Sequence, residues 1–367
     1  MNGILVCAGE GEKKNIGDYI QSVAQEQFFE HADCYVEREH LNTFQAKEKV
    51  NVIMNAWFMW HPENFPPSDI INPLFISFHL VPKIADQFFT PKTITYLKKY
   101  EPIGARDIST QKSLEQHGIK SYFSGCLTLT LGLKYNTERH DDGYFFVDPH
   151  YNFLGVEEGF SKKKRLFIYI NIVANNYKSL LKLKKRFHVE YTTGFYKYSK
   201  SLSDWICCIS FYNTYSKIFE DDILINANYI THDLPQSLFK NNDDKMQYAR
   251  HLIQKYANAK LVVTSRLHCA LPCIATGTPT IFINSDKLEN GYSRSGSTGR
   301  FDGLIDLMNT LYCNKQELYS KDDYLQKILR DKIKTSTIIR NPNKYLNIKS
   351  YLTSTVLTWL KQCNENK

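Results

Sequence analysis

Arg266 and His268 lie two residues apart in an apolar stretch, residues 261–283. The stretch reads as a buried strand, a tight turn, a helix, a stop at Gly277 and a second buried strand. The pair falls where the first strand ends and the helix begins. There the backbone N–H groups of the first turn lack helical partners and the helix dipole adds partial positive charge. A fixed cation and a titratable imidazole at such a junction suit phosphate or carboxylate chemistry. Pro272 sharpens the expectation, because it cannot donate to the carbonyl of residue 268. Either the helix starts later or its first turn is irregular. The competing reading of His268 is a hydrogen-bonded core histidine. Cys269 and Cys273 flank it, but one such pair without a second His or Cys cluster does not make a zinc site.

Other residues suit the same chemistry. Arg106 closes the strand expected over 103–105 and points to the crevice where open α/β sheets bind ligands. Its sequence reading is balanced between a salt bridge and an anion clamp, while Asp107 caps the next helix. Asp18 either caps its own helix or accepts a proton from a hydroxyl, and Asn15 and Gly17 shape the turn before it. Lys287, Arg294 and Arg300 bracket a loop of small residues over 293–300. At least one of these cations is expected to face the ligand, with Lys287 the first choice. A phosphate-binding P-loop and a G-x-G-x-x-G fingerprint are both absent from the sequence.

Alternating strands and helices position these residues. Strands are expected over 3–8, 50–54, 74–78, 103–105 and 121–123, with helices following Asn15 and near 92–100 and 108–117. After a polar break at 139–143 come strands over 144–147, 166–170 and 188–192. A helix over 245–259 leads into the Arg266–His268 stretch, followed by helices over 301–311 and 348–363. This pattern is that of parallel sheets covered by helices. It divides the chain into 1–140, 141–340 and a C-terminal helix, 341–367. Length supports two domains: the chain has 367 residues, 43% of them hydrophobic and 14% aromatic.

A net charge of +8 suits anionic small molecules or an anionic membrane surface, and no nucleic-acid-binding signature accompanies it. Two basic segments, 161–165 and 178–186, are either solvated helix faces or contacts for acidic headgroups. Nine scattered cysteines fit buried thiols of a reducing compartment better than a disulfide framework. With no apolar run of about 18 residues, the sequence reads as a cytoplasmic protein, free or peripheral at the membrane's cytoplasmic face.

At three places the chain resembles the polysaccharide pyruvyl transferase family. These are Asn15 to Asp18 before an amphipathic helix, residues 103–125 around Arg106 and Asp107, and residues 263–279 around Arg266 and His268. The resemblance implies two Rossmann-like domains facing a cleft, as in B-type glycosyltransferases, with a C-terminal helix crossing back. It implies transfer of pyruvate from phosphoenolpyruvate to a sugar hydroxyl pair, free or lipid-linked, with no metal or cofactor. The donor would meet Arg106, Arg266, His268 and Lys287, with Asn15, Gly17, Arg294 and Arg300 as further contacts. His268 and Asp18 would be catalytic. Two places depart from the family pattern. Gly125, Cys126 and Leu127 replace a Gly-Asp-Pro, and residues 74–79 replace a glycine-rich turn, so the acceptor's identity is less constrained than the donor's. The alternatives are a glycosyltransferase using a nucleotide-sugar donor and a non-enzymatic scaffold in polysaccharide assembly.

Overall fold

The computed structural model describes residues 1–9, 13–136, 143–187, 200–285 and 299–365. In the first half, strands Cys34–Glu37, Asn2–Val6, Val50–Ile53 and Ile71–Leu74 lie side by side in that order, all parallel. Backbone bonds from Gly104 N to Phe75 O (3.0 Å) and from Phe78 N to Gly104 O (2.9 Å) carry the hydrogen bonding on to strand Ile103–Ala105. That strand pairs in parallel with Ser121–Phe123. In the second half, six strands follow the order Asn228–Ile230, Tyr144–Val147, Leu261–Thr264, Thr280–Ser285, Asn309–Asn314 and Glu317–Tyr319. They are parallel except for the final hairpin. Helices and loops cover both faces, so Val50–Ile53, Leu261–Thr264 and Thr280–Ser285 are buried at every position. This is why they read as unbroken apolar runs rather than alternating ones. The chain is therefore α/β, built around parallel sheets.

The halves share a core. Ile16, Ile20 and Val23 of helix Gly17–Glu26 pack in one cluster with Met246, Ala249 and Ile253 of helix Asn242–Asn258. Strand Lys13–Asn15 pairs antiparallel with Asp233–Pro235, and Ile16 N donates to His232 O at 2.9 Å. The C-terminal helix Tyr345–Glu365 crosses back onto the first half. Leu352 and Val356 join the shared core, and Tyr351 meets Tyr122 edge to face.

Several expectations change. Residues 166–170 are not a strand but part of helix Lys162–Phe187. The run of Leu, Phe, Ile and Tyr favours a strand locally, but no sheet edge among the described residues receives it. Leu180, Leu183 and Phe187 bury at helical spacing instead. Residues 301–311 are not a helix either. Gly303 takes a positive φ of 81°, a break in the helical path, and Asn309–Asn314 then extends the second sheet beside Thr280–Ser285. The strand expected at 74–78 lies at Ile71–Leu74. Helix Lys200–Tyr215 and strands Cys34–Glu37 and Asn228–Ile230 had no counterpart in the sequence reading. The strand expected over 188–192 lies outside the described residues.

Candidate active site

Three strand–helix junctions meet where the halves touch. Asp107 caps helix Ile108–Gln116, its Oδ1 accepting from Thr110 N at 2.9 Å. The preceding Arg106 is only 1% exposed. Arg266 is the N-cap of helix Leu267–Ala275, whose first turn is irregular at His268 (φ −79°, ψ 17°), as Pro272 requires. The third junction is the start of helix Gly17–Glu26. A Cβ on Gly17 would stand 3.3 Å from His232 Nδ1 and 3.4 Å from His268 Cβ, so glycine lets this helix end approach both imidazoles. Asn15 Oδ1 accepts from Gly17 N at 3.1 Å. Asn15 thus shapes the turn, and Ile16 occupies the cap position. Asp18 makes no capping bond. Its carboxylate lies 3.8 Å from Lys14 Nζ, and its charge reaches Arg106.

Charges of both signs meet here, Arg106 and Arg300 with Asp107 and Asp18. His268 is held well below the usual imidazole pKa by burial first, then by Arg106, Arg300, His232 and His79. His79 lies 2.6 Å from Asp107 Oδ2 through Nδ1 and 3.2 Å from Thr110 Oγ1. Burial and Arg106 nevertheless push its pKa down to about 4 against the pull of Asp107. Arg300 comes from the second half on a loop seated over the start of helix Ile108–Gln116, where Ile108 N donates to Asp302 O at 3.1 Å. Arg106 Nε lies 3.4 Å from Asp107 Oδ2, while Arg106 Nη2, His268 Nε2 and His232 Nδ1 are among the buried atoms without a hydrogen-bond partner among the described residues. Leaving such a group unsatisfied costs about 1–3 kcal/mol. Such groups would be satisfied by a small anion with several acceptor oxygens.

A profile of the polysaccharide pyruvyl transferase family matches residues 76–287, more than half of the chain. The chain belongs to the polysaccharide pyruvyl transferase family. Membership makes it a transferase of the pyruvyl group in polysaccharide biosynthesis. A search among curated proteins finds no match. The matched span contains Arg106, His79, Arg266 and His268 and excludes Asp18 and Arg300.

Within this pyruvyl transferase the structure brings Arg106, His268, Asp18, Gly17 and Arg300 together. It engages Arg266 differently. Arg266 Nε bonds Asp148 Oδ2 at 2.6 Å, and Nη2 bonds Asp233 Oδ2. Against the cost of burial these two carboxylates raise its pKa above the usual guanidinium value. Asp148 also accepts from His232 N at 2.9 Å, so Arg266 braces the segment that carries His232. Lys287 and Arg294 lie outside the described residues. Among the described residues, no group of three or more His, Cys, Asp or Glu is placed to hold a metal ion. His79 and His232 were missed in the sequence. Each stands alone in its segment, and contacts distant in sequence set them in place: His79 N donates to Ala56 O at 3.0 Å and His232 Nε2 meets Tyr256 Oη at 2.8 Å.

The buried imidazoles make stability depend on pH. The unfolded chain takes up these protons near the ordinary histidine pKa of about 6.5, whereas folded His79 resists until about 4. Stability is therefore full above about 6.5 and falls as pH drops toward 4. The slope is up to ~1.4 kcal/mol per pH unit for each such imidazole. Urea titrations at pH 7.5 and 5.0 should show the loss, and His79→Asn should reduce it. An unchanged difference in that variant would assign the pH dependence to other groups.

Proposed function

We propose that this chain transfers the pyruvyl unit of phosphoenolpyruvate to two hydroxyls of one sugar, forming a cyclic ketal and releasing phosphate. The fold fitting this reading is a pair of Rossmann-like domains of the B-type glycosyltransferase kind, with the donor between them. One observation carries the proposal: a buried guanidinium, paired with Asp107 through Nε but with Nη2 unpartnered, beside an imidazole with an unpartnered nitrogen, at the junction of both halves. Phosphoenolpyruvate carries a carboxylate and a phosphate, and Arg106 and Arg300 supply complementary charge.

The chemistry follows from the donor. A proton added to C3 turns the methylene into a methyl group and makes C2 electrophilic. A sugar hydroxyl attacks C2 and its proton passes to Asp18. The C2–O bond to phosphate breaks, the leaving oxygen takes the electron pair, and the second hydroxyl attacks C2. Of the two hydroxyl protons released overall, one balances the proton gained at C3 and the other leaves on phosphate.

Burial, with Arg106 and Arg300 close by, disfavours the charged form of His268. The donor's negative charges reverse that field, so His268 gains a proton as the donor binds and is then equipped to protonate C3 or steady the leaving phosphate. Calorimetry of phosphoenolpyruvate binding at pH 7 in buffers of different ionisation enthalpy should show about one more proton taken up by the parent than by His268→Asn. Equal uptake would remove His268 from the titrating role.

The decisive test incubates the chain with phosphoenolpyruvate and galactose- or mannose-type acceptors, free and lipid-linked. Phosphate release together with the mass gain of one ketal-linked pyruvate supports the proposal. Binding of nucleotide sugars but not phosphoenolpyruvate in thermal-shift measurements would overturn it in favour of glycosyl transfer.

A further inference from the structure

Helix Lys162–Phe187 presents a surface that the transfer reaction does not use. It holds nine lysines and arginines and not one aspartate or glutamate. With the whole chain at +8, the remaining residues sum to −1. This one helix thus accounts for the chain's formal excess of positive charge, although Lys184 pairs with Asp204 at 3.6 Å. Buried positions fall in the last three turns, at Leu180, Leu183 and Phe187. Elsewhere large apolar side chains face solvent: Leu166, Ile170 and Tyr177 are each more than half exposed, and Phe167 is 73% exposed. Phe167 and Ile170, three residues apart, share one side of the helix before its kink at Asn176 (φ −130°, ψ 24°), and Tyr177 follows the kink. Lys162, Lys163, Lys178, Lys182 and Lys185 are exposed around them.

Exposed aromatic and aliphatic side chains ringed by lysines form the pattern of a helix that lies in the plane of a bilayer interface. The apolar side chains enter the headgroup–acyl boundary and the lysines meet anionic headgroups. No helix among the described residues is long and apolar enough to cross a membrane, so contact of this kind is peripheral. We infer that helix Lys162–Phe187 docks the chain on an anionic lipid surface. The absence of any carboxylate on this helix is the observation that selects an anionic partner. The combination of apolar exposure with charge selects a bilayer over a soluble acidic ligand. The inference is independent of the donor and acceptor proposed above.

The test is co-sedimentation of the full chain with vesicles of phosphatidylcholine alone or mixed with phosphatidylglycerol, at ~0.1 M salt. Binding is expected to the mixed vesicles, at least tenfold weaker to phosphatidylcholine alone, and strongly reduced by salt. The variant Lys163→Gln, Lys178→Gln, Lys182→Gln should lose at least tenfold in vesicle binding. The variant Phe167→Ser, Ile170→Ser should lose at least fivefold, and both should keep parental phosphate release on a soluble acceptor. Absence of binding to the mixed vesicles overturns the inference. So does vesicle binding unaffected by both variants, or a parental dimer in gel filtration that Phe167→Ser, Ile170→Ser converts to monomer, which assigns the face to a second copy.

Discussion

His268→Ala is expected to lower kcat by ~10³-fold or more while leaving the melting temperature within a few degrees of the parent. The two outcomes separate because His268 is poorly served in the folded chain. The residue is 9% exposed, its Nε2 has no partner among the described residues, and burial together with Arg106 and Arg300 disfavours its charged form. Removing it relieves an unsatisfied polar atom, worth about 1–3 kcal/mol. That gain offsets most of the packing lost with the ring. A residue retained for stability would behave in the opposite way, costing melting temperature without a comparable loss of turnover. His268→Asn guards against a folding artefact, since it keeps most of the volume without an imidazole. Turnover within tenfold of the parent in both variants would exclude His268 from the chemistry.

The two arginines contributed by the second half should part company on mutation. Arg266→Gln leaves Asp148, which is 5% exposed at its side chain, and Asp233 without their shared counter-ion. Breaking a largely buried ion pair by removing one partner costs about 3–5 kcal/mol, so this variant should unfold at markedly lower urea. It should also loosen the turn that carries His232. Arg300→Gln removes a cation that acts on His268 and His79. It should leave the urea midpoint close to the parent and raise KM for phosphoenolpyruvate by at least tenfold, the loss of about one charge-assisted contact. If Arg266→Gln were as stable as the parent but deficient in donor affinity, Arg266 would be a donor ligand. The carboxylate brace would then be incidental.

The three motifs sit on short, contiguous segments whose meaning is local: apolar strand, junction residue, helix. Such segments carry their own signal. The strand–helix junctions at Arg106 and His268, the irregular first turn forced by Pro272 and the C-terminal helix were therefore legible in the sequence. The middle of helix Lys162–Phe187 was not legible, because local β-propensity at 166–170 contradicts the helix and the lack of a neighbouring strand among the described residues decides. Partnership across the chain was equally invisible. Arg266 meets Asp148 and Asp233 over separations of 118 and 33 residues, and nothing in residues 263–268 marks that guanidinium as already bound.

The order of residues thus determined the family, the parallel α/β architecture and two of the groups at the junction of the halves, since each depends on patterns a few residues long. Tertiary structure decided which charges face one another. It placed His79 on Asp107, turned Arg266 to its carboxylates and brought Arg300 beside His268. Coulomb energy depends on separation in space and on the exclusion of water, and neither quantity exists until the sheets have stacked their helices.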